Sequence, residues 1–301
     1  MQFSHWSEIP EILASITDVQ KSQASSKIVA GLSVDHRVAL ADSMNFVFER
    51  APNAILIQEK VEAFWQARID ELEADPAIVS LRQKCAAKNA KVKWERRTIS
   101  SDKPTFLQYA DLKSGEIVIT FDDGPHSAST PLVLQALDDA GVRCNFFQLG
   151  SNARNLPVMS RAVAESGHSV GSHSMSHSDL TKLSLPEAMK DVRAGRDQVV
   201  ASSGQNNPFF RCPYGAVNDQ LRQAIYAEGL FIFHWSMDPQ EWDYKKTQYR
   251  LTATFRAIID EVERVKRGIL LLHDVHRHVG LVLPDVLRYL ALNDYTIVQF
   301  I

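Results

Sequence analysis

The sequence predicts an α/β fold with about seven parallel strands, close to a (β/α) barrel, behind a mainly helical N-terminal region. Three observations predict it. From about residue 114, short apolar runs alternate with helix-compatible stretches. The residues before about 100 show little β-branched alternation and carry apolar side chains at helical steps. Polar, chemically capable residues gather where the apolar runs end. A doubly wound open sheet is the alternative for the same alternation.

The N-terminal region, residues 1–113, reads as helical. In Asn53 to Ala74 the apolar residues Ile55, Ile57, Val61, Phe64, Trp65, Ile69 and Leu72 recur mostly at steps of three and four, a helix period. His36 to Arg50 and Pro76 to Ala90 repeat the pattern more weakly. Between Arg82 and Arg97 lie Arg82, Lys84, Lys88, Lys91, Lys93, Arg96 and Arg97, opposed only by Glu95. This reads as a solvated helix face followed by a linker. A local patch for an anionic polymer is the second reading.

Residues 114–301 form the second region. Its apolar runs are Glu116–Phe121, Cys144–Leu149, His168–Ser172, Phe209–Cys212, Leu230–Trp235, Gly268–His273 and Thr296–Phe300. Helix-compatible stretches separate them: Thr130–Ala140, Leu156–Ser166, Leu185–Ser202, Asn218–Glu228, Thr247–Val265 and Leu283–Leu292. Such alternation means parallel strands joined by crossover helices.

Composition narrows the function. The chain has 301 residues, of which 45% are hydrophobic and 23% charged, within the range of globular proteins. A net charge of −3 excludes the overall basic footprint of a nucleic-acid binder. No stretch approaches the roughly 18 apolar residues of a transmembrane helix. The opening MQFSHWSEIPEIL lacks the basic-then-apolar order of a signal peptide. Cys85, Cys144 and Cys212 form neither a disulfide framework nor a CxxC pair.

The run ends carry the chemistry. The first closes on Thr120-Phe121-Asp122-Asp123-Gly124-Pro125, adjacent carboxylates where barrel enzymes keep catalytic groups, with Gly-Pro stopping the strand. An Asp-rich turn would look the same. The third is followed by His173-Ser174-Met175-Ser176-His177. Histidines four apart share one face of a helix turn, near enough to share a cation. Chance surface histidines have that spacing too. With Asp123 they make two imidazoles and a carboxylate, a set that leaves positions open for water and substrate. The fourth run ends in Arg211-Cys212-Pro213-Tyr214-Gly215, whose arginine can hold a carboxylate ionised and oriented, or form a plain structural pair. The fifth leads to Asp238-Pro239-Gln240-Glu241-Trp242. The sixth ends in Leu271-Leu272-His273-Asp274, with a histidine able to protonate a leaving group near neutral pH.

In this order, TFDDGP, HSMSH, RCPYG, DPQEW and LLHD resemble the five motifs of the polysaccharide deacetylases, carbohydrate esterase family 4, also called the NodB-homology domain. The resemblance covers Glu116 to Ile301, including CNFFQLG and SHSDLTKLS. It implies a distorted (β/α) barrel and metal-dependent hydrolysis of an acetyl group on a sugar. Asp123, His173 and His177 would bind the metal, usually Zn2+, with Co2+ or another divalent ion able to take the same place. Asp122 would be the general base, Arg211 its orienting partner and His273 the general acid. Tyr214 would give a backbone N–H to the oxyanion. Glu241 and Trp242 fall where the family has an Asp-Trp pair that supports the histidine and lines the pocket, which Leu271 would also line.

Two positions depart from the family pattern. Cys212 replaces the usual proline, either as a small apolar filler or as an oxidation-sensitive thiol. Glu241 is one methylene longer than the usual Asp, and Asp238 is the alternative support for His273. His126, His168, His276 and His278 read as loop or structural histidines, with His126 the nearest candidate to the cleft.

The expected partner is a glycan polymer, with peptidoglycan and its N-acetylglucosamine favoured as a frequent substrate of bacterial members. That substrate implies a secreted or periplasmic protein. The alternatives are a chitin oligosaccharide deacetylase, a xylan acetyl esterase, or a family member that binds glycan without turning it over. An iron oxygenase built on two His and one carboxylate is a further reading, disfavoured by the βα pattern.

Overall fold

The structure, a computed structural model, describes residues 54–99, 103–109 and 111–301. The helix expected over His36 to Arg50 lies outside the described residues. The chain divides into two compact units, Met1–Phe64 and Trp65–Ile301, and the sheet belongs wholly to the second.

Helices α1 (Ala54–Ala74) and α2 (Pro76–Lys88) occupy the stretches that the helical period marks. Asp75 starts α2: its side chain accepts the Ala77 N–H, and Pro76 sits in the first turn, where no amide is needed. Asn89 ends it in the left-handed conformation, at φ 47°. Beyond it the structure departs from the expected linker, because Lys93–Arg97 is a strand, β1, paired in parallel with the C-terminal strand of the chain. Four of its five residues are exposed, so no apolar run announces it. Carboxylates take up much of the basic stretch. Arg82 donates to both oxygens of buried Asp285 at 3.0 and 2.9 Å, Lys93 pairs with Asp294, and Arg97 pairs with Glu116 and Glu95. Arg82, Lys93 and Arg97 are thus engaged within the chain, which speaks against the patch for an anionic polymer.

A two-residue strand, β2 (Phe106–Leu107), precedes the predicted series. All seven predicted runs are strands: β3 (Glu116–Asp122), β4 (Asn145–Gln148), β5 (Ser169–Ser172), β6 (Phe209–Phe210), β7 (Phe231–Phe233), β8 (Gly268–His273) and β9 (Thr296–Phe300). Between them run α3 (Thr130–Asp139), α4 (Gly150–Asn155), α5 (Pro157–Glu165), α6 (Leu185–Ser203), α7 (Asp219–Ala227), α8 (Tyr244–Thr247), α9 (Leu251–Val265) and α10 (Arg277–Leu292). Helix α10 begins six residues before the expected Leu283. Pro284 lies inside it and mimics a helix start.

Every pairing among the strands is parallel. The order β3-β4-β5-β6-β7 continues to β8 through one bridge, Met237 to Leu270, and β8 returns to β3 along Ile117–Asp122. The ring is distorted, as expected. On the edge of β3 opposite β8, β9 takes Glu116 and Ile117 while β4 takes Thr120 to Asp122. Strands β3, β4 and β5 are buried almost throughout, as parallel strands covered on both faces must be.

Side chains alternate across a strand. Val118 packs inside the ring with Phe147, Phe209, Phe233, Ile269, Val298 and Phe300. Thr120 and Asp122 follow on the same face. The lower barrel is therefore an apolar floor, and its polar groups gather at the C-terminal ends of the strands. A second apolar cluster lies under α6 and α7, where Cys212 packs with Leu180, Met189, Val192, Phe210 and Leu230.

Candidate active site

The site is built from the ends of β3, β5, β6 and β8 and the loop after β7. At its centre Asp122, the last residue of β3, is 2% exposed. Arg211, just beyond β6 and fully buried, donates from Nη1 to Asp122 Oδ1 at 2.6 Å and to Thr120 Oγ1 at 2.8 Å. Thr120 Oγ1 in turn donates to the Leu270 carbonyl at 2.7 Å. The guanidinium also reaches the carbonyls of Phe233 and His234 and lies 4.3 Å over the Phe147 ring. Burial pushes the Asp122 carboxyl up, and Arg211 pulls it back only in part. Thr120, which aligns Arg211, is a site residue that the motif reading passed over.

Asp123 leaves the strand at φ 71°, and its carboxylate and that of Asp122 both face His173 Nε2, at 3.5 and 3.8 Å. Asn152 donates to its backbone carbonyl at 2.8 Å. The following Gly124 is forced by contact, since a Cβ there would sit 2.3 Å from the Asp274 carboxylate. Asp274 accepts from Thr130 Oγ1 at 2.5 Å, and burial lifts its carboxyl to about 7. This pair lies just behind the Asp122-Asp123 turn; Asp274 closes the LLHD motif, which gives it no role of its own.

His173 and His177 do not share a helix turn. They follow β5 on a loop, with Ser174 and His177 at positive φ (70° and 60°). The loop is held by polar contacts from α4 and α6. The first N–H groups of α4, from Gly150 and Ser151, donate to the Ser174 and Met175 carbonyls at 2.9 and 3.1 Å. Asp191 accepts the Met175 N–H at 2.8 Å. The loop still brings both rings to Asp123, with His177 Nε2 3.2 Å and His173 Nε2 3.5 Å from Asp123 Oδ1. The ligand atoms of the three residues all lie within 4.8 Å of one another.

The chemistry of this trio fits a divalent cation. A carbonyl can only accept, so His173 Nδ1, 2.8 Å from the Arg211 carbonyl, carries the proton and Nε2 presents a lone pair. Burial drives the His173 ring down to about 3, so it is neutral at physiological pH. Its lone pair thus faces a carboxylate oxygen that is buried and has no hydrogen-bond partner. A cation between them relieves both.

Opposite lies His273, at the end of β8. Its Nδ1 is 2.8 Å from Glu241 Oε1, and Glu241 is fully buried. Burial alone would lower this imidazole, but Glu241 and the two aspartates outweigh it and raise it to about 10. The longer Glu241 therefore reaches His273. Asp238 instead accepts the Gln240 N–H at 2.9 Å. Tyr214 stands at φ 60°, with its ring 4.6 Å from that of His177, and is 55% exposed. Trp242 is partly exposed beside Glu241, and Leu271 is buried two residues before His273, facing the same way. Cys212 lies in the apolar cluster with its thiol pushed up to about 12, which matches the filler reading. His126 is turned to local use, its Nδ1 accepting N–H groups from Ala128 and Ser129 before α3.

Known proteins share this architecture. Residues 110–231 match the family described as Polysaccharide deacetylase. The chain is 35% identical over 182 residues to the peptidoglycan-N-acetylglucosamine deacetylase PgdA of Listeria monocytogenes, covering 60% of this chain and 37% of that protein. It thus spans little more than a third of that relative. It is 32% identical to a chitooligosaccharide deacetylase of Azorhizobium caulinodans, covering 52% of this chain and 73% of that one. Among solved structures, a peptidoglycan deacetylase of Bdellovibrio bacteriovorus superposes with a TM-score of 0.76 at 20% identity, over 99% of this chain and 82% of the other. That last likeness speaks for the fold. With the motif order, the barrel and these matches together, the chain belongs to the polysaccharide deacetylase family.

Proposed function

We propose that this protein removes N-acetyl groups from a glycan, with N-acetylglucosamine of peptidoglycan as its substrate and Zn2+ as its metal. The observation that carries the reading is one end of the barrel holding three arrangements: Asp122 against Arg211, the Asp123, His173 and His177 trio, and His273 against Glu241. A divalent cation held by Asp123, His173 and His177 would supply a Lewis acid for the acetyl carbonyl and would make water more acidic. Asp122 has Oδ1 tied to Arg211 and Oδ2 facing His173 at 3.8 Å, so Oδ2 is the atom that takes the proton of the attacking water. Tyr214 offers its backbone N–H to the oxyanion that develops, and losing one such donor typically costs roughly 3–4 kcal/mol. His273, anchored through Nδ1, keeps Nε2 for the substrate. Its proton goes to the departing nitrogen as the C–N bond breaks, because an unprotonated amine leaves badly. Acetate and the free amine are the products. Trp242 and Leu271 line the sugar side.

Peptidoglycan is favoured because the Listeria relative carries that substrate in its name, and it would place the mature protein outside the cytoplasm. Among the described residues no helix is long and apolar enough to cross a membrane. Chitin oligosaccharide is the second reading, favoured by the Azorhizobium relative, most of whose length this chain covers. Mass spectrometry of muropeptides and of a chitin oligomer, each treated with zinc-loaded or chelator-treated protein, separates the two. Metal-dependent acetyl loss from muropeptides is expected. Loss from the chitin oligomer alone moves the substrate, and loss from neither overturns the deacetylase reading for both.

A further inference from the structure

The support of His273 does not end at Glu241. Its carboxylate holds the ring, but a glutamate has one more rotatable bond than the family's aspartate, so its backbone must be held more firmly to aim equally well. His278, in the first turn of α10 and 1% exposed, provides that hold, with Nε2 3.1 Å from the Glu241 carbonyl. A carbonyl only accepts, so Nε2 carries the proton. Burial keeps this imidazole neutral by driving it down to about 4. Thr247 Oγ1 is a longer second donor to the same carbonyl, at 3.5 Å.

His278 is itself clamped by rings. Trp65 stacks on it at 6.3 Å and 20° between planes, Tyr249 approaches at 5.2 Å, and His276 stacks on it at 5.3 Å. Trp65 is 2% exposed and lies on α1, before the stretch that carries the family motifs. The segment that brings it there is docked by ion pairs on one side: Glu71 with Arg250, Asp75 with Arg256 at 2.9 Å, and Arg82 with Asp285.

We propose that Trp65 and His278 are positioning residues for His273, acting through the backbone of Glu241, so that the helix ahead of the deacetylase barrel is part of the apparatus that aims the acid. The proposal rests on His273 being that acid. It predicts a particular defect. An N-acetyl amide needs a protonated leaving group, whereas 4-nitrophenyl acetate releases a phenolate that does not. Misaiming the acid slows the first reaction and spares the second.

The test uses the full, metal-loaded chain with 4-nitrophenyl acetate and with the N-acetyl substrate that it deacetylates, muropeptides as proposed or a chitin oligomer under the second reading. His278→Leu is expected to lower kcat on the amide on the order of 10- to 100-fold, with KM and aryl ester turnover changed by less than about twofold. Trp65→Ala should act in the same sense and Trp65→Phe less. Equal loss on both substrates, or no loss on either, overturns the proposal. His273→Ala is the control for the underlying reading. If it fails to separate the two substrates, His273 is not the acid. If it separates them and His278→Leu does not, only the present proposal falls. Should His278→Leu not fold, His278→Gln and His278→Asn decide, because glutamine places an N–H where Nε2 stands and asparagine where Nδ1 stands. Glutamine must keep amide turnover better than asparagine, with the ester indifferent, and equal behaviour overturns the proposal.

Discussion

Strand β3 carries an arginine–carboxylate pair at each end, and the two behave in opposite ways. At its first residue Glu116 takes Arg97 at 2.9 and 3.0 Å and the Lys113 N–H at 2.8 Å, at the edge of solvent. The Arg97 hydrogen bond outweighs burial there and holds Glu116 below the usual carboxylate range. At its last residue Asp122 takes Arg211 at 2.6 Å with both partners buried, and burial outweighs the arginine. At Glu116 the arginine outweighs burial, at Asp122 burial outweighs the arginine, and water access decides which. In a barrel of parallel strands the N-terminal ends serve stability and the C-terminal ends serve chemistry. The pair buried on both sides is the one that faces Asp123, His173 and His177.

The largest expected effects lie at the C-terminal end. Chelation, or His177→Ala, should abolish deacetylation and empty the metal site, read by elemental analysis of the purified protein. Next comes Asp122→Asn, expected to cut kcat on the order of 10²- to 10⁴-fold while metal content stays full. Metal loss in that variant would make Asp122 a ligand and would overturn the proposed division of labour between the two aspartates. Arg211→Met comes third. It leaves a buried carboxylate without its partner, which typically costs about 3–5 kcal/mol, measured by urea unfolding. A loss below about 1 kcal/mol would mean that the buried pair behaves like an exposed one.

The same contrast explains what could be read from the sequence. Strands β3 to β9 were legible because burial on both faces demands apolar runs, and their ends stood out because charged residues stop those runs. Strand β1 was not legible: KWERR sits at the edge of the sheet, mostly in solvent, and resembles a linker. The candidate site residues stand in motifs, yet the motif spacing misplaces His173 and His177 on a helix turn. Their convergence comes from positive φ at Ser174 and His177, which their side chains do not announce. Thr120 and Asp274 stand inside TFDDGP and LLHD without a role of their own, because each acts on a neighbouring side chain, and His278 is a buried structural histidine, as its setting in the sequence suggests. A threonine facing inward two residues before Asp122 was the one available hint, since strand alternation places both on the same face.

The smallest expected effect sharpens the comparison from the N-terminal end. Glu116→Gln removes the charge that Arg97 holds and keeps the size of the side chain. Because the folded pair holds Glu116 below its unfolded value of about 4.3, its contribution is complete above that pH and fades as pH falls through the lower folded value. The variant should therefore be less stable at pH 7 by under about 1 kcal/mol, with the gap to the parent closing in acid. Urea unfolding of both proteins from pH 7 down to pH 3 reads this directly, and activity should be unchanged throughout the range where both stay folded. A gap that persists in acid would assign the contribution to hydrogen bonding and packing between β1 and β3 instead of charge. The pair at Glu116 would then differ from the one at Asp122 in kind as well as in exposure.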